Sequence, residues 1–343
     1  MFGTIKDIHI CGMHTVVPDN RVNNFEAYCS QFGEKKLKRQ IRMTGMEERC
    51  VAGEGVTSAL LCEVAAETLL RELGWDRNTI RAVLYVTETP NYVLPSTAFQ
   101  IQKQLGIGED CVVYDINLGC SGWIVGMQTI SSIMRGIEPT DGGPVRALLL
   151  TGSISTSHVA ADDFATAMLF GDAGAATALE ISAQDEGFVY MQKSDGTGYQ
   201  HIFMESLDGS VQMNGPAVFE FTINQVVDSV KKFTEHFDIR QEGIDYYVFH
   251  QAQKFIVDNM MELLACPPEK VLSSYASYGN TAAAAIPLTI CLHRDTLRKK
   301  ERMSILAAGF GVGLSWGALH FHLDTDHIMG ISILEKGEAE GWS

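Results

Sequence analysis

The chain has 343 residues, 46% of them hydrophobic and 20% charged, with a formal net charge of −16. That length exceeds one ordinary core and points to two halves with buried interiors. The acidity excludes unaided binding to nucleic acid or to an anionic membrane surface, so an anionic partner needs a local basic patch.

The eight cysteines show no CxxC pairing, which reads as reduced thiols. No leader pattern and no uninterrupted apolar run of about 18 residues is present, so a soluble, cytoplasmic protein without a membrane partner is expected.

Ile5 to Val17 reads as a strand with a polar break, closed by the turn Pro18-Asp19-Asn20. It carries His9, Cys11 and His14, but an alternating run serves packing as readily as ligation, and no metal is expected. Lys35, Lys36, Lys38, Arg39 and Arg42 then form a basic stretch ending at Thr44-Gly45. On an acidic chain this is the plainest candidate for a phosphate or acidic-partner site, although a solvated helix face has the same composition.

Thr57 to Leu73 has helical spacing closed by Gly74. Ala82 to Val86 is a buried strand, followed by a loop through Pro90 and Pro95 and a helix around Ala98 to Leu105.

Cys111 to Tyr114 is strand-like and runs into the turn Asp115 to Trp123. Beyond it Ile124, Val125, Met127, Ile130, Ile133 and Met134 are apolar around most of a helical wheel, which predicts a buried helix. Cys120 stands at its start, where unpaired N–H groups and the positive end of the helix dipole favour thiolate. Ala147 to Thr151 is a further strand, and Phe170 to Ala176 a glycine-rich turn. That turn lacks the Lys-Ser/Thr of a P-loop and the spacing of a dinucleotide fingerprint, so tight backbone packing is its expected role.

The second half repeats this alternation, with a strand from Gly187, a helix over Val218 to Phe237 and a strand from Ile244 to Phe249 that stops at His250. A helix from Ala252 to Leu264 follows, with Phe255, Ile256, Met260 and Leu263 on one side. Tyr275 to Asn280 is a polar turn, and Ser304 to Ala308 leads into Gly309-Phe-Gly-Val-Gly313. Alternating strands and helices predict an α/β layered fold, duplicated as halves 1–180 and 181–323 with a tail over 324–343. On that tail side His320, His322, Asp324 and Asp326 alternate as metal ligands can, but strand packing and solvation explain them as well.

Cys120, His250 and Asn280 each stand where a strand ends, the place where α/β sheets put their chemistry. A nucleophilic Cys with a distant His and Asn fits a cysteine protease. It fits equally an acyl-transfer enzyme that forms carbon–carbon bonds, in which His and Asn donate hydrogen bonds to an enolate. Spacing does not choose between the two.

Five motifs do. Asp115-Ile-Asn-Leu-Gly-Cys120-Ser-Gly, Leu169-Phe-Gly-Asp-Ala-Gly-Ala, His250-Gln-Ala, Tyr278-Gly-Asn280-Thr-Ala-Ala-Ala-Ala-Ile-Pro287 and Gly309-Phe-Gly-Val-Gly-Leu-Ser-Trp-Gly317 occur in this order. Together they resemble the β-ketoacyl-acyl carrier protein synthase III group of the thiolase superfamily, from Ile5 to about Leu323.

The resemblance implies a thiolase-like, duplicated, five-layered αβαβα fold, a homodimer and a ping-pong decarboxylative Claisen condensation. Cys120 carries the acyl group, and backbone N–H groups of Cys120 and of Gly311, Val312 or Gly313 form the oxyanion hole. A malonyl-type thioester loses carbon dioxide with its enolate held by His250 and Asn280. Tyr92, Val93 and Leu94 match a loop that caps the partner's acyl pocket. The substrates are phosphopantetheine thioesters on acyl carrier protein or coenzyme A, and no separate cofactor is implied.

The nucleotide grip departs from the family pattern. Arg39 stands where primer-type members place a Trp, Met43 where they place an Arg (Arg42 is displaced by one), Ser157 near a second Arg, and Gln253 for Asn. These departures point to a specialised member charged from acyl carrier protein, docked by Lys36, Lys38, Arg39, Arg42 and Lys254. The alternative is an acyltransferase or thioester hydrolase using the same acyl-cysteine without condensation. A 3-hydroxy-3-methylglutaryl synthase activity needs a general acid near the pocket; Glu88 is nearby in sequence, without a matching motif.

Overall fold

The computed structural model describes residues 1–335. The chain opens with β1 (Phe2–Ile5) and the almost wholly buried β2 (Ile8–Pro18). Next come β3 (Arg21–Asn23), α1 (Asn24–Phe32), α2 (Glu34–Thr44) and β4 (Glu48–Cys50), which pairs with β3. Helix α3 (Ser58–Leu73) starts where the Thr57 side chain accepts from the Leu60 N–H, and stops at Gly74 as its spacing predicts. Strand β5 (Ile80–Val86), α4 (Thr97–Gln104), β6 (Val112–Ile116), α5 (Gly122–Met134), β7 (Arg146–Ser153) and β8 (Ala173–Ile181) follow.

The second half contains β9 (Phe188–Ser194), the short pair β10 (Ile202–Phe203) and β11 (Gln212–Met213), then α6 (Gly215–Phe221), which passes through one π turn into α7 (Val227–His236). After these come β12 (Tyr246–Phe249), α8 (Lys254–Leu263), β13 (Val271–Leu272), α9 (Tyr275–Tyr278), α10 (Ala285–Leu292) and α11 (Arg294–Leu297). The long antiparallel pair β14 (Arg302–Gly311) and β15 (Ser315–Asp324) leads to β16 (Ile328–Leu334).

Two six-stranded sheets result, in the orders β16-β2-β8-β7-β5-β6 and β1-β9-β15-β14-β12-β13. From the second strand onward the relative directions agree position by position: two antiparallel pairings, then two parallel ones. The sheets differ at one edge, where β16 runs parallel to β2 but β1 antiparallel to β9. This is the strand pattern of a duplicated unit.

Helix α5 packs on β5 and β7 of one sheet and on β14 and β15 of the other, and α10 likewise touches both sheets. Burial on both sides is why α5 is apolar around most of its circumference. Outside, α3 and α4 cover the first sheet and α7 the second. The architecture is therefore α/β with five layers, αβαβα. Its core falls into an inner cluster around Trp123, Met127, Ile286 and Ile290, with outer clusters beneath α3 and α7.

Several expectations change. The stretch from 324, read as a tail, forms β16 as far as Leu334, because Ile331 and Ile333 extend the sheet beside β2; residues 336–343 lie outside the described residues. The termini also cross the boundary drawn at 180, since β1 joins the second sheet and β16 the first. On α8 the buried face is Ile256, Val257 and Met260, whereas Phe255 and Leu263 are exposed and Phe255 stacks on Phe219 at 5.0 Å. The glycine-rich turn is shorter than expected, since Ala173 to Ala176 already belong to β8.

Candidate active site

The turn after β6 is pinned from both ends. Asp115 accepts from the backbone N–H groups of Thr97 (2.7 Å) and Ala98 (2.8 Å), tying the strand end to the start of α4. Ser121 and Ser315 share a hydrogen bond at 2.6 Å, and Ser315 also donates to the Val312 carbonyl at 2.8 Å, so the loop between β14 and β15 is locked onto the start of α5.

That lock brings Gly311 against Cys120. A Cβ on Gly311 would lie 2.7 Å from Cys120 Cβ and 2.9 Å from its Sγ, so only glycine lets the backbone come this close. The backbone N–H groups of Val312 and of Cys120 itself point at the sulfur. These are the geometric requirements of a two-donor oxyanion hole. Of the residues expected as donors, Val312 is the one whose N–H is directed at Cys120, and Gly311 leaves room for that approach.

Cys120, His250 and Asn280, distant in sequence, line one cavity of about 120 Å³. His250 continues the β12–β14 ladder through its N–H to the Ala308 carbonyl (2.8 Å), and its ring stands edge-on to Phe310. Burial pushes its imidazole down to about 3, so it is neutral and a hydrogen-bonding group at neutral pH.

Asn280 is held by backbone bonds of 2.9 Å to Leu169 and 3.0 Å from Gly171. Its Oδ1 accepts from the Ala282 N–H at 3.0 Å, which leaves Nδ2 as the donor end. A Cβ on Gly171 would lie 2.0 Å from the Tyr278 carbonyl oxygen, so the glycine-rich turn serves close packing against the Asn280 segment.

Burial, and secondarily the charge of Glu88, pushes the Cys120 thiol up to about 12, against the partial help of the two N–H groups. The expected helix-driven thiolate is thus outweighed: α5 begins two residues later, at Gly122, and desolvation of the sulfur dominates. Much of the cavity wall is apolar, with Phe203, Met204, Val211, Met213 and Val218 among its residues.

Several positions were not found from sequence motifs. Glu88 lines the cavity, with Oε1 accepting from Ser155 (3.0 Å) and Ser153 (3.3 Å). Gln251, beside His250, accepts at Oε1 from the Ser274 N–H (2.8 Å) and donates to the Phe249 carbonyl (2.6 Å), so it braces the loop that carries the imidazole. Asp172 accepts from the N–H groups of Ala52 (2.8 Å) and Thr156 (3.1 Å). For Gln251 and Asp172 the signal was present in motifs already singled out; for Glu88 only an acidic residue after a strand hinted at it.

The basic residues divide. Lys38, Arg42 and Lys254 line one cleft with Phe25 and Tyr275, and Lys254 directly follows Gln253, which lines the cavity. Lys36 instead lies over the Phe164 ring at 3.7 Å, and Arg39 is exposed outside the cleft. Ser157 donates to the Ile154 carbonyl (2.7 Å) away from it. Tyr92, Val93 and Leu94 do not line this chain's own cavity and stand 49%, 85% and 87% exposed.

The histidines weighed as metal ligands, and Asp324, have other partners. His14 meets Ser332 (2.9 Å), His320 meets Ser304 (2.9 Å), and His322 pairs with Glu186 (2.6 Å). His9 pairs with Asp185 (2.9 Å) and approaches Asp324 and His327, but the Arg302 guanidinium already holds one oxygen of Asp324 at 3.1 Å.

Among the described residues no helix is long and apolar enough to cross a membrane. Two family models match, the one described as 3-oxoacyl-[acyl-carrier-protein] synthase III over residues 114–196 and its C-terminal counterpart over residues 235–323. A β-ketoacyl-[acyl-carrier-protein] synthase III of Bacillus pumilus is 33% identical over 278 residues, covering 80% of this chain and 86% of its own. The enzyme of that name from Geobacillus kaustophilus is 30% identical, with 90% and 97% covered. In structure, a 3-oxoacyl-(acyl-carrier protein) synthase from Burkholderia xenovorans superposes with a TM-score of 0.91 at 29% identity, covering 97% of this chain and 99% of that one. With the fold, the five motifs and these relatives in agreement, the chain belongs to the β-ketoacyl-[acyl-carrier-protein] synthase III family.

Proposed function

We propose that this chain joins a Cys120-bound acyl group to a malonyl-type thioester by decarboxylative condensation. The carrying observation is one cavity in which a thiol, met by the N–H groups of Val312 and Cys120, faces a neutral imidazole and a side-chain amide donor. In the first step the thioester carbonyl takes the place between those two N–H groups, and the acyl group passes to sulfur. In the second, the malonyl carbon–carboxylate bond breaks, His250 and Asn280 hold the enolate oxygen, and the carbanion attacks the acyl-cysteine. An acyl-cysteine that only transfers or hydrolyses needs no enolate holder, so the buried His250 and Asn280, with the family's condensing activity, favour condensation.

The partner is an acyl carrier protein, an acidic molecule for which the cleft of Lys38, Arg42 and Lys254 supplies the complementary charge. The thioester arms of the substrates suffice, without a separate cofactor. Acting as a homodimer, each chain offers Tyr92, Val93 and Leu94 to the partner's acyl pocket.

Intact-mass measurement against a panel of acyl thioesters tests the reading. The wild type gains the acyl mass and Cys120→Ala does not; an adduct surviving in that variant removes the nucleophile. His250→Ala and Asn280→Ala keep the adduct but lose carbon dioxide release from a malonyl thioester by about a hundredfold or more. Faster loading from acyl carrier protein than from acyl-coenzyme A is expected, and the reverse order defeats the donor assignment.

A further inference from the structure

Among the described residues the cavity has three titratable groups: Cys120, His250 and Glu88. The duplicated topology accounts for the third. Strands β5 and β12 hold the same place in their sheets, as do β6 and β13. The segments after β12 and β13 deliver His250 and Asn280; those after β5 and β6 deliver Glu88 and Cys120. Decarboxylative condensation uses three of these four corners and leaves the carboxylate without a task.

Glu88 is fixed there. The hydroxyls of Ser153 and Ser155 donate to Oε1, while Oε2 lies against Gly119, the residue before the nucleophile, where a Cβ would stand only 1.8 Å away. His158, from the turn after β7, and Cys120 are the titratable groups that face it.

We propose that Glu88 accepts the Cys120 proton during acyl loading and hands it to the departing carrier thiolate. This rests on the acyl-cysteine reading above. As Sγ attacks the thioester carbonyl, the S–H bond breaks and the proton passes to the carboxylate. When the bond from the carbonyl carbon to the carrier sulfur breaks, the carrier thiolate takes that proton. One acyl group has moved between two sulfurs, the carboxylate is regenerated, and nothing is oxidised or reduced.

The electrostatics call for such a group. Burial and the Glu88 charge push the Cys120 thiol up to about 12, so thiolate is a minor species at pH 7 and a nearby proton acceptor speeds loading. His250, near 3, is a poor proton acceptor. Burial raises the Glu88 carboxyl, which moves it toward the range that suits a general base.

Two rates measured on Glu88→Gln separate this role from a purely electrostatic one. Single-turnover acylation of Cys120, read by intact mass, falls about a hundredfold or more. Alkylation of Cys120 by iodoacetamide, located by peptide mass, rises, because the negative neighbour is gone. Acylation that matches the wild type or rises with alkylation overturns the proposal.

The wild type gives a second test that needs no variant. Between pH 7 and 9 alkylation climbs about tenfold per pH unit with the thiolate fraction, whereas acylation stays within about twofold; parallel climbs overturn the proposal. A wild type that alkylates at Cys120 but takes no acyl group from any thioester instead defeats the acyl-cysteine reading.

Discussion

At Gly311 a missing side chain sets the geometry of the reacting sulfur. The φ of Gly311 is +156°, a backbone conformation that residues with side chains rarely adopt, and contact adds to the requirement for glycine, with Cys120 Cβ 2.7 Å and Sγ 2.9 Å from where a methyl would sit. In Gly311→Ala the turn must retreat, and the Val312 N–H retreats with it. Loss of one oxyanion donor costs about 3 kcal/mol, so acylation should drop by ~10²- to 10³-fold while circular dichroism stays unchanged. Full activity in this variant would show that Val312 is not a donor.

Cys120, His250 and Asn280, which the fold brings to one cavity, were readable because each lies in a motif of several residues; His250 does directly follow β12, but Asn280 follows α9 and not a strand. Glu88 was weighed only as the general acid of another synthase activity, since one acidic residue in Thr87-Glu-Thr89 carries no pattern and its meaning depends on a fold that brings β5 beside β6. The state of the Cys120 thiol was misread for a related reason: a helix start is visible in sequence, but the desolvation that outweighs it is made by β14 and the Gly311 turn, some 190 residues away.

Among the secondary-structure elements, continuous apolar runs such as β5 and β7 and the largely apolar α5 were the readable ones, because burial on two faces removes polar residues from the pattern. The edge strands β1 and β16 were not, because nothing local in a short run says which sheet it joins. Helix α3 holds a different surprise, Glu63, 1% exposed, with Oε1 unpartnered.

Burial alone pushes the Glu63 carboxyl up to about 7. Its unfolded value is about 4.3, so the folded chain holds this proton more tightly. Stability from this group is therefore complete below about pH 4 and is lost as pH rises to about 7, a loss of roughly 4 kcal/mol at higher pH. Glu63→Gln, which carries no charge to bury, should melt roughly 5 °C above the wild type at pH 8 and within about 1 °C of it at pH 4.5. A gap of the same size at both pH values would mean that the carboxyl is not what titrates.

On the scale of the whole molecule, the duplication closes on itself through its ends: β1 completes the second sheet and β16 the first, so each half is finished by a strand from the other end of the chain. Among the described residues one exposed apolar run stands out. Tyr92, Val93 and Leu94 form an exposed apolar run next to Phe99, itself 51% exposed, on the loop that leads from the Glu88 segment into α4. A run of this kind is costly to leave in water and is the usual mark of a surface that meets another chain.

If that chain is a second copy, light scattering after size exclusion gives twice the chain mass for the wild type. In the double variant Val93→Asp with Leu94→Asp it gives a single chain mass, because two buried charges outweigh the remaining contacts. Neither residue lines this chain's own cavity, so the isolated variant should keep the Cys120 thiol and its alkylation rate but lose discrimination between short and long acyl donors. A variant that stays dimeric with unchanged chain-length preference would remove the loop from both roles and leave the acyl pocket to be built from one chain.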